Sequence, residues 1–151
     1  MTSLLSRAPI LPRILLGLIF TVFGLNGFLG FLPMPELPPE GGAFMGALAA
    51  TGYMLPLIKG TEVVAGVLLL INRFVPLSLV LLAPITVNIL LFHSLLAPAP
   101  AMPLVLIAAQ LFLAYHHRSA FSGVLQSRSS ARSAPSAAPE APLRRAPSSA
   151  G

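Results

Sequence analysis

Two adjacent apolar runs, joined by a short polar break, constrain the fold of this chain more than any other stretch. Together they extend from Leu55 to Ala97, and the break between them consists of Asn72, Arg73 and Phe74. An apolar run of roughly 20 residues is long enough to cross the hydrocarbon core of a membrane as a helix. The two runs therefore predict a pair of membrane-spanning helices.

The composition of the whole chain agrees with a membrane location. Only 9% of the 151 residues are charged and 56% are hydrophobic, whereas about a quarter of the residues of an ordinary soluble protein are charged. The absence of Cys excludes disulfides and cysteine-bound metal clusters. The formal charge of +5 does not indicate nucleic acid, because much of it lies in the C-terminal tail and the rest marks membrane topology.

Four apolar segments predict an all-α fold, an integral membrane four-helix bundle. The expected spans are residues 13–32, 54–72, 74–97 and 102–118, within a membrane domain of residues 1–121. Cleavage of the first span as a signal peptide is the competing interpretation, and it is disfavoured because the run is too long and no cleavage site follows. Residues 33–42 are predicted to break any helix, and residues 43–53 to form an interfacial or partial helix.

The basic residues lie on one side of these spans, which predicts an orientation. That side holds Arg7, Arg13, Arg73, Arg118 and Arg128, whereas the opposite side holds Glu36 and Glu40 and neither Lys nor Arg. Because positively charged loops stay in the cytoplasm, both termini are predicted to be cytoplasmic. Residues 122–151 are rich in Ser, Ala, Pro and Arg without periodicity, and we expect this tail to be disordered.

Six polar residues inside the predicted spans share one depth, in the outer half of the bundle. They are Asn26, Lys59, Glu62, Asn88, His93 and Gln110. At a rise of 1.5 Å per residue, each lies roughly 6 to 13 Å from the outer end of its span. Ionisable groups in a membrane span are costly and are usually turned inward for a function. The sequence predicts a ligand-binding site or proton relay of Lys59, Glu62, Asn88 and His93, with Asn26 and Gln110 as supporting polar residues.

The spacing of these residues defines the expected geometry only in part. Lys59 and Glu62 are three apart on one helix face and are expected to pair. Asn88 and His93 are five apart, about 140° around a helix, so a kink after Pro84 or different neighbours must accommodate them. The alternative is that all these groups only hold the helices together through hydrogen bonds. An imidazole exchanges protons near neutral pH, which makes His93 the favoured active member, and no metal site is expected.

Four motifs, GLNGF, KGTEVVAGVLLL, NRFVPL and NILLFH, occur in this order along the chain. In this pattern the chain resembles the DoxX family of small four-helix bacterial membrane proteins, over about residues 13–121. The resemblance implies a multi-pass protein of the bacterial inner membrane, in a family linked to thiosulfate and quinone oxidoreductase subunits and to membrane-associated oxidative-stress complexes. It also implies that the family's polar positions correspond to Asn26, Lys59, Glu62, Asn88 and His93.

Three functions stay open at this point, and the sequence does not decide whether the protein is an enzyme. The first is a membrane subunit of a quinone-linked redox or oxidative-stress complex. In it, His93 or Lys59 would bond a quinone or other small lipophilic ligand and Glu62 would relay protons, without a covalently bound cofactor. The second is a non-catalytic scaffold or assembly subunit. The third, a small-solute transporter, is disfavoured because nothing polar continues into the inner half.

Overall fold

The computed structural model describes residues 9–33 and 35–121, and within these ranges it contains helices and no strand. The helices are α1 (Ile10–Leu29), α2 (Pro39–Ala50), α3 (Met54–Leu70), α4 (Val75–Leu95), α5 (Ala101–His116) and α6 (Arg118–Phe121). The predicted all-α class is confirmed for this part of the chain. The expected disordered tail, residues 122–151, lies outside the described residues.

Helix α1 is shifted by three residues from the predicted span of residues 13–32. It begins at Ile10 in place of residue 13 and ends at Leu29 in place of residue 32. It can begin early because Pro12 falls in the first turn, where backbone N–H groups have no helical partner anyway. It ends at Gly30, whose φ of 60° is left-handed and whose N–H donates to the Asn26 carbonyl at 2.8 Å. Glycine adopts this conformation without steric cost and so stops the helix.

Helix α2 corrects the expectation that residues 33–42 break any helix. Pro39 is the first residue of α2, a position where its missing N–H does no harm and its ring favours helical φ. The axes of α2 and α3 differ in direction by 93°. At this bend Gly52 has a φ of 74°, and the Thr51 hydroxyl accepts a hydrogen bond from the Met54 N–H at 3.0 Å.

The long helices pack side by side around one apolar core. Helix α1 packs most extensively along α3, and further contacts join α3 to α4, α4 to α5, and α5 back to α1. The core side chains include Leu16, Phe20, Ala65, Leu69, Leu79, Leu82, Leu106 and Leu113. The outward faces of α1, α3, α4 and α5 also carry many exposed large apolar side chains. Apolar surface on this scale is typical of a protein that contacts lipid.

The α1–α3 interface depends on glycines that let the two backbones approach. A Cβ atom added at Gly66 would lie 2.7 Å from the Thr21 backbone nitrogen, and one at Gly17 would lie 2.8 Å from Leu70 Cγ. Small residues have this role between membrane helices. These two glycines therefore permit the close packing of α1 on α3.

Within residues 9–33 and 35–121, two helices, α1 and α4, are individually long and apolar enough to cross a membrane. Helices α2 and α3 reach that length only as one bent pair, which brings the candidate spans to three. Helix α5 is apolar but has 16 residues, or about 24 Å at 1.5 Å per residue. The part of the chain that the structure describes is thus a helical protein with two or three candidate membrane spans.

Arg13 of α1 ties the start of that helix to the end of α3. Its Nη1 donates to the backbone carbonyls of Leu69 and Leu70, the latter at 3.2 Å. The last carbonyls of a helix lack helical partners and carry the negative end of its dipole. Sequence reasoning used Arg13 only as a topology marker and missed this contact, since it depends on which helices become neighbours.

Replacing Arg13 by Gln is expected to lower the free energy of unfolding by about 1 to 2 kcal/mol, because those carbonyls lose a charged donor. Thermal unfolding in detergent, followed by circular dichroism, measures the change. Arg73→Gln removes the same charge from the exposed α3–α4 connection, where a substitution should cost at most about 0.5 kcal/mol. Equal losses in the two variants would contradict a specific role for Arg13.

Candidate functional site

A buried ion pair on α3 is the most chemically distinctive feature of the described residues. The Lys59 ammonium donates to Glu62 Oε2 at 2.8 Å, and it is the one ion pair found within residues 9–33 and 35–121. The pairing predicted from the three-residue spacing is therefore confirmed. The Glu62 side chain is 3% exposed and that of Lys59 is 25% exposed. The carboxylate thus faces the interior, and the ammonium lies at the rim.

Glycines of α1 make room for this pair. A Cβ atom on Gly27 would lie 2.5 Å from Lys59 Cγ, and one on Gly24 would lie 3.1 Å from Glu62 Cβ. The alkyl stem of Lys59 and the base of Glu62 therefore pack directly on the α1 backbone. Because α1 and α3 are antiparallel, a three-residue step along α1 matches a three-residue step back along α3. That shared spacing is the sequence signal that could have linked the glycines to the ion pair.

Asn26, a predicted supporting residue, holds the chain as it leaves α1. It is buried, and its Oδ1 accepts a hydrogen bond from the Leu32 N–H at 2.6 Å. Its backbone carbonyl also accepts from the Gly30 N–H. These contacts support the structural interpretation of Asn26.

Gln110, the other predicted supporting residue, joins α5 to α4. It is buried, and its Nε2 donates to the Leu79 carbonyl at 2.8 Å, whereas its Oε1 has no partner among the described residues. A groove of about 250 Å³ runs along this contact. Gln110 is therefore a helix-to-helix link whose hydrogen bond goes to α4 and not to the ion pair.

Asn88 and His93 are not hydrogen-bonded to the ion pair. Asn88 is exposed, and its side chain forms no hydrogen bond to any residue of the described ranges. His93 is half-buried, with Nδ1 2.9 Å from the Ile89 carbonyl of its own helix and its ring edge-on to Phe92. Of the four predicted ligand-binding residues, the structure joins only Lys59 and Glu62. The ligand-binding roles of Asn88 and His93 stay predictions.

Helix α2 covers the end of α4 next to His93, a contact that sequence reasoning missed. The ring centroids of Phe44 and Phe92 are 5.8 Å apart. A Cβ atom on Gly41 would lie 3.3 Å from the Leu96 carbonyl oxygen. The sequence shows Gly41 and Phe44 in α2. It does not indicate which helix they contact, because α2 is too short to be assigned a place in a membrane bundle.

The ion pair has two chemical capacities. Of the three N–H donors of the Lys59 ammonium, one is used by Glu62, which leaves two at the partly exposed rim. The Glu62 carboxylate can in turn accept a proton from a group bound beside it. Such an arrangement suits a small ligand with a hydrogen-bond acceptor. No cluster of three metal-binding side chains occurs in the part of the chain that the structure describes.

Comparisons of the chain with models of known protein families, with curated proteins and with solved structures found no match. The resemblance to the DoxX family, and the role it implies, therefore stay predictions.

Proposed function

We propose that the chain is a multi-pass protein of the bacterial inner membrane, with α1, α3, α4 and α5 as four spans and both termini cytoplasmic. The contacts of these four helices, each packed against two others, support this arrangement. Arg13 binds the end of α3, Arg73 follows that end, and Arg118 follows α5, so one end of the packed helices collects the basic residues. Positive charge at that end favours its placement in the cytoplasm.

We further propose that the protein is a membrane subunit of a quinone-linked redox complex and binds a small lipophilic ligand at Lys59 and Glu62. The single observation that carries this proposal is the ion pair at 2.8 Å, with its carboxylate buried and its ammonium partly exposed. A buried pair adds little net stability, because desolvation offsets the attraction between the charges. Packing alone therefore does not explain why these groups are here. In this proposal Lys59 donates a hydrogen bond to a carbonyl oxygen of the ligand, and Glu62 exchanges protons with the ligand.

Replacing Glu62 by Gln is expected to weaken binding of a short-chain benzoquinone to the reconstituted protein by at least about tenfold, because Lys59, the donor to the quinone carbonyl, loses the carboxylate that holds it in place. Gln keeps the volume, so insertion and helicity should persist. Thr61→Val is the matched control, because among the described residues the Thr61 hydroxyl bonds only to the Leu57 carbonyl of its own helix. Equilibrium titration of the quinone measures both variants. Unchanged affinity in Glu62→Gln, or equal loss in Thr61→Val, would contradict the proposed site.

A substitution at His93 tests whether the ligand site extends from α3 to α4. If the ligand reaches α4, His93→Ala should weaken quinone binding about as much as Glu62→Gln. Native mass spectrometry of the detergent-solubilised protein then identifies any lipid, quinone or protein subunit that co-purifies with it.

A non-catalytic scaffold or assembly subunit is the second candidate. It is favoured by the contacts of Asn26, Gln110 and His93, which all bond to backbone groups. Loss of complex assembly in Glu62→Gln, with no quinone bound by the native protein, would favour this second function over the first.

A further inference from the structure

One face of α4 is exposed along the whole helix. This face is apolar except for the side-chain amide of one residue. At helical spacing this face presents Leu77, Leu81, Pro84, Asn88, Leu91 and Leu95, all of them exposed. None of these residues is charged, and Asn88 is the only strongly polar one. The side-chain amide of Asn88 is exposed and forms no hydrogen bond within the described residues, so its donor and its acceptor are both available.

The position of Asn88 along α4 puts this amide in the hydrocarbon. Helix α4 is one of the two helices that are individually able to cross a membrane. At 1.5 Å per residue, Asn88 lies about 10 Å from the Leu95 end and about 20 Å from the Val75 end. Its side chain has a single methylene group and cannot reach either surface. Because an unsatisfied amide in hydrocarbon is costly, something with hydrogen-bonding groups must cover it.

We infer that a second copy of this chain covers this face, through a reciprocal pair of Asn88 amides. Two copies inserted in the same direction have equal residues at equal depth. A two-fold axis along the membrane normal therefore places Asn88 opposite Asn88 of the second copy. An amide both donates and accepts, so the pair forms two hydrogen bonds and satisfies itself. Hydrogen bonds of this kind are known to associate membrane helices.

The neighbours of Asn88 are compatible with this contact. Leu91 and Leu81 lie one turn and two turns away on the same face and would meet their equivalents. No charge on the face would oppose a second copy or point to an oppositely charged partner. In this assignment Asn88 belongs to a contact between subunits and is separate from the Lys59–Glu62 site. The inference therefore does not depend on the proposed ligand.

The chain contains no Cys, so single cysteine variants report this contact without background. Leu91→Cys places a thiol on the proposed contact face. Val105→Cys is the matched control, because it lies on the outward side of α5. Leu91 and Val105 are 50% and 53% exposed, and each is four residues from the end of its helix nearest the α4–α5 connection. In vesicles treated with a thiol oxidant, we expect a disulfide-linked dimer from Leu91→Cys and none from Val105→Cys.

Adding Asn88→Leu to Leu91→Cys should abolish most of that cross-link. By energy transfer between labelled copies diluted in vesicles, Asn88→Leu alone should weaken self-association by about tenfold, the effect of losing two interhelical hydrogen bonds. Asn88→Gln retains an amide and should retain much of the association. Leu is more apolar than Asn, so insertion should not suffer, and circular dichroism checks that helicity is unchanged.

Three results in vesicles would overturn the inference. They are the absence of a dimer from Leu91→Cys, an equal dimer yield from Val105→Cys, and an Asn88→Leu variant that associates as well as the native chain. In native membranes, a Leu91→Cys cross-link to a different protein in place of a second copy would also overturn it.

Discussion

Replacing Lys59 by Met is expected to lower the free energy of unfolding by about 3 to 5 kcal/mol, as when one partner of a buried ion pair is removed. Glu62 is 3% exposed, and its one ion-pair partner among the described residues is Lys59 at 2.8 Å. Met keeps the unbranched stem that packs on Gly27, so the loss of packing is small. The loss of stability therefore reports the carboxylate left without its cation.

Thermal unfolding in one detergent, followed by circular dichroism, measures this loss. The matched variant carries both Lys59→Met and Glu62→Gln, which removes both charges and leaves similar volume. It should recover most of the lost stability, because the pair as a whole adds little. A single Lys59→Met variant as stable as the native protein would show that the carboxylate does not rely on Lys59.

Replacing Gly66 by Ala is expected to lower the free energy of unfolding by about 1 to 3 kcal/mol, the usual cost of overpacking. The new Cβ atom would lie 2.7 Å from the Thr21 nitrogen and 2.9 Å from the Gly17 carbonyl oxygen. Both are backbone atoms of α1, so no side-chain rotation can relieve the clash. The two helices must separate, and the contact of α1 with the ion pair loosens with them.

Gly60→Ala is the control for this substitution, since Gly60 lies in the same helix and a Cβ atom there would meet nothing within 4 Å. It should be neutral or stabilising by up to about 1 kcal/mol, because Ala favours a helix more than Gly does. The expected result, measured in the same detergent, is a loss of stability in Gly66→Ala and no loss in Gly60→Ala. A loss of the same size at Gly60 would mean that α3 needs glycine for flexibility and that close packing is not the reason.

Local features of the sequence predicted the helices and the ion pair. The apolar runs indicated where helices form, and the three-residue spacing of Lys59 and Glu62 placed both on one face, which the structure confirms. Both inferences rest on residues close together in the chain. The positions of Asn88 and His93 depend on how α4 is rotated and kinked. Helix α4 is apolar on nearly every side, so its sequence does not indicate which side faces inward.

Contacts between distant segments were likewise beyond sequence reasoning. The pattern of basic residues identified Arg13 as a charge near a membrane surface, but not its bond to the last carbonyls of α3. The Pro and Gly residues around position 39 suggested a break, whereas Pro39 begins α2. For Arg13 the deciding factor is the neighbouring helix, whereas for Pro39 it is the position of the proline in the first turn.

The position of the ion pair and its glycines along the chain has a consequence for biosynthesis. Lys59, Glu62, Gly24 and Gly27 all lie before Leu70, the last residue of α3. When the ribosome has made α3, the helix that packs on the charged groups is already complete, while α4 and α5 are still untranslated. Chains fold from the N-terminus as they emerge. Helices α1 and α3 can therefore pack together during translation and remove the two charged groups from lipid before α4 and α5 are made.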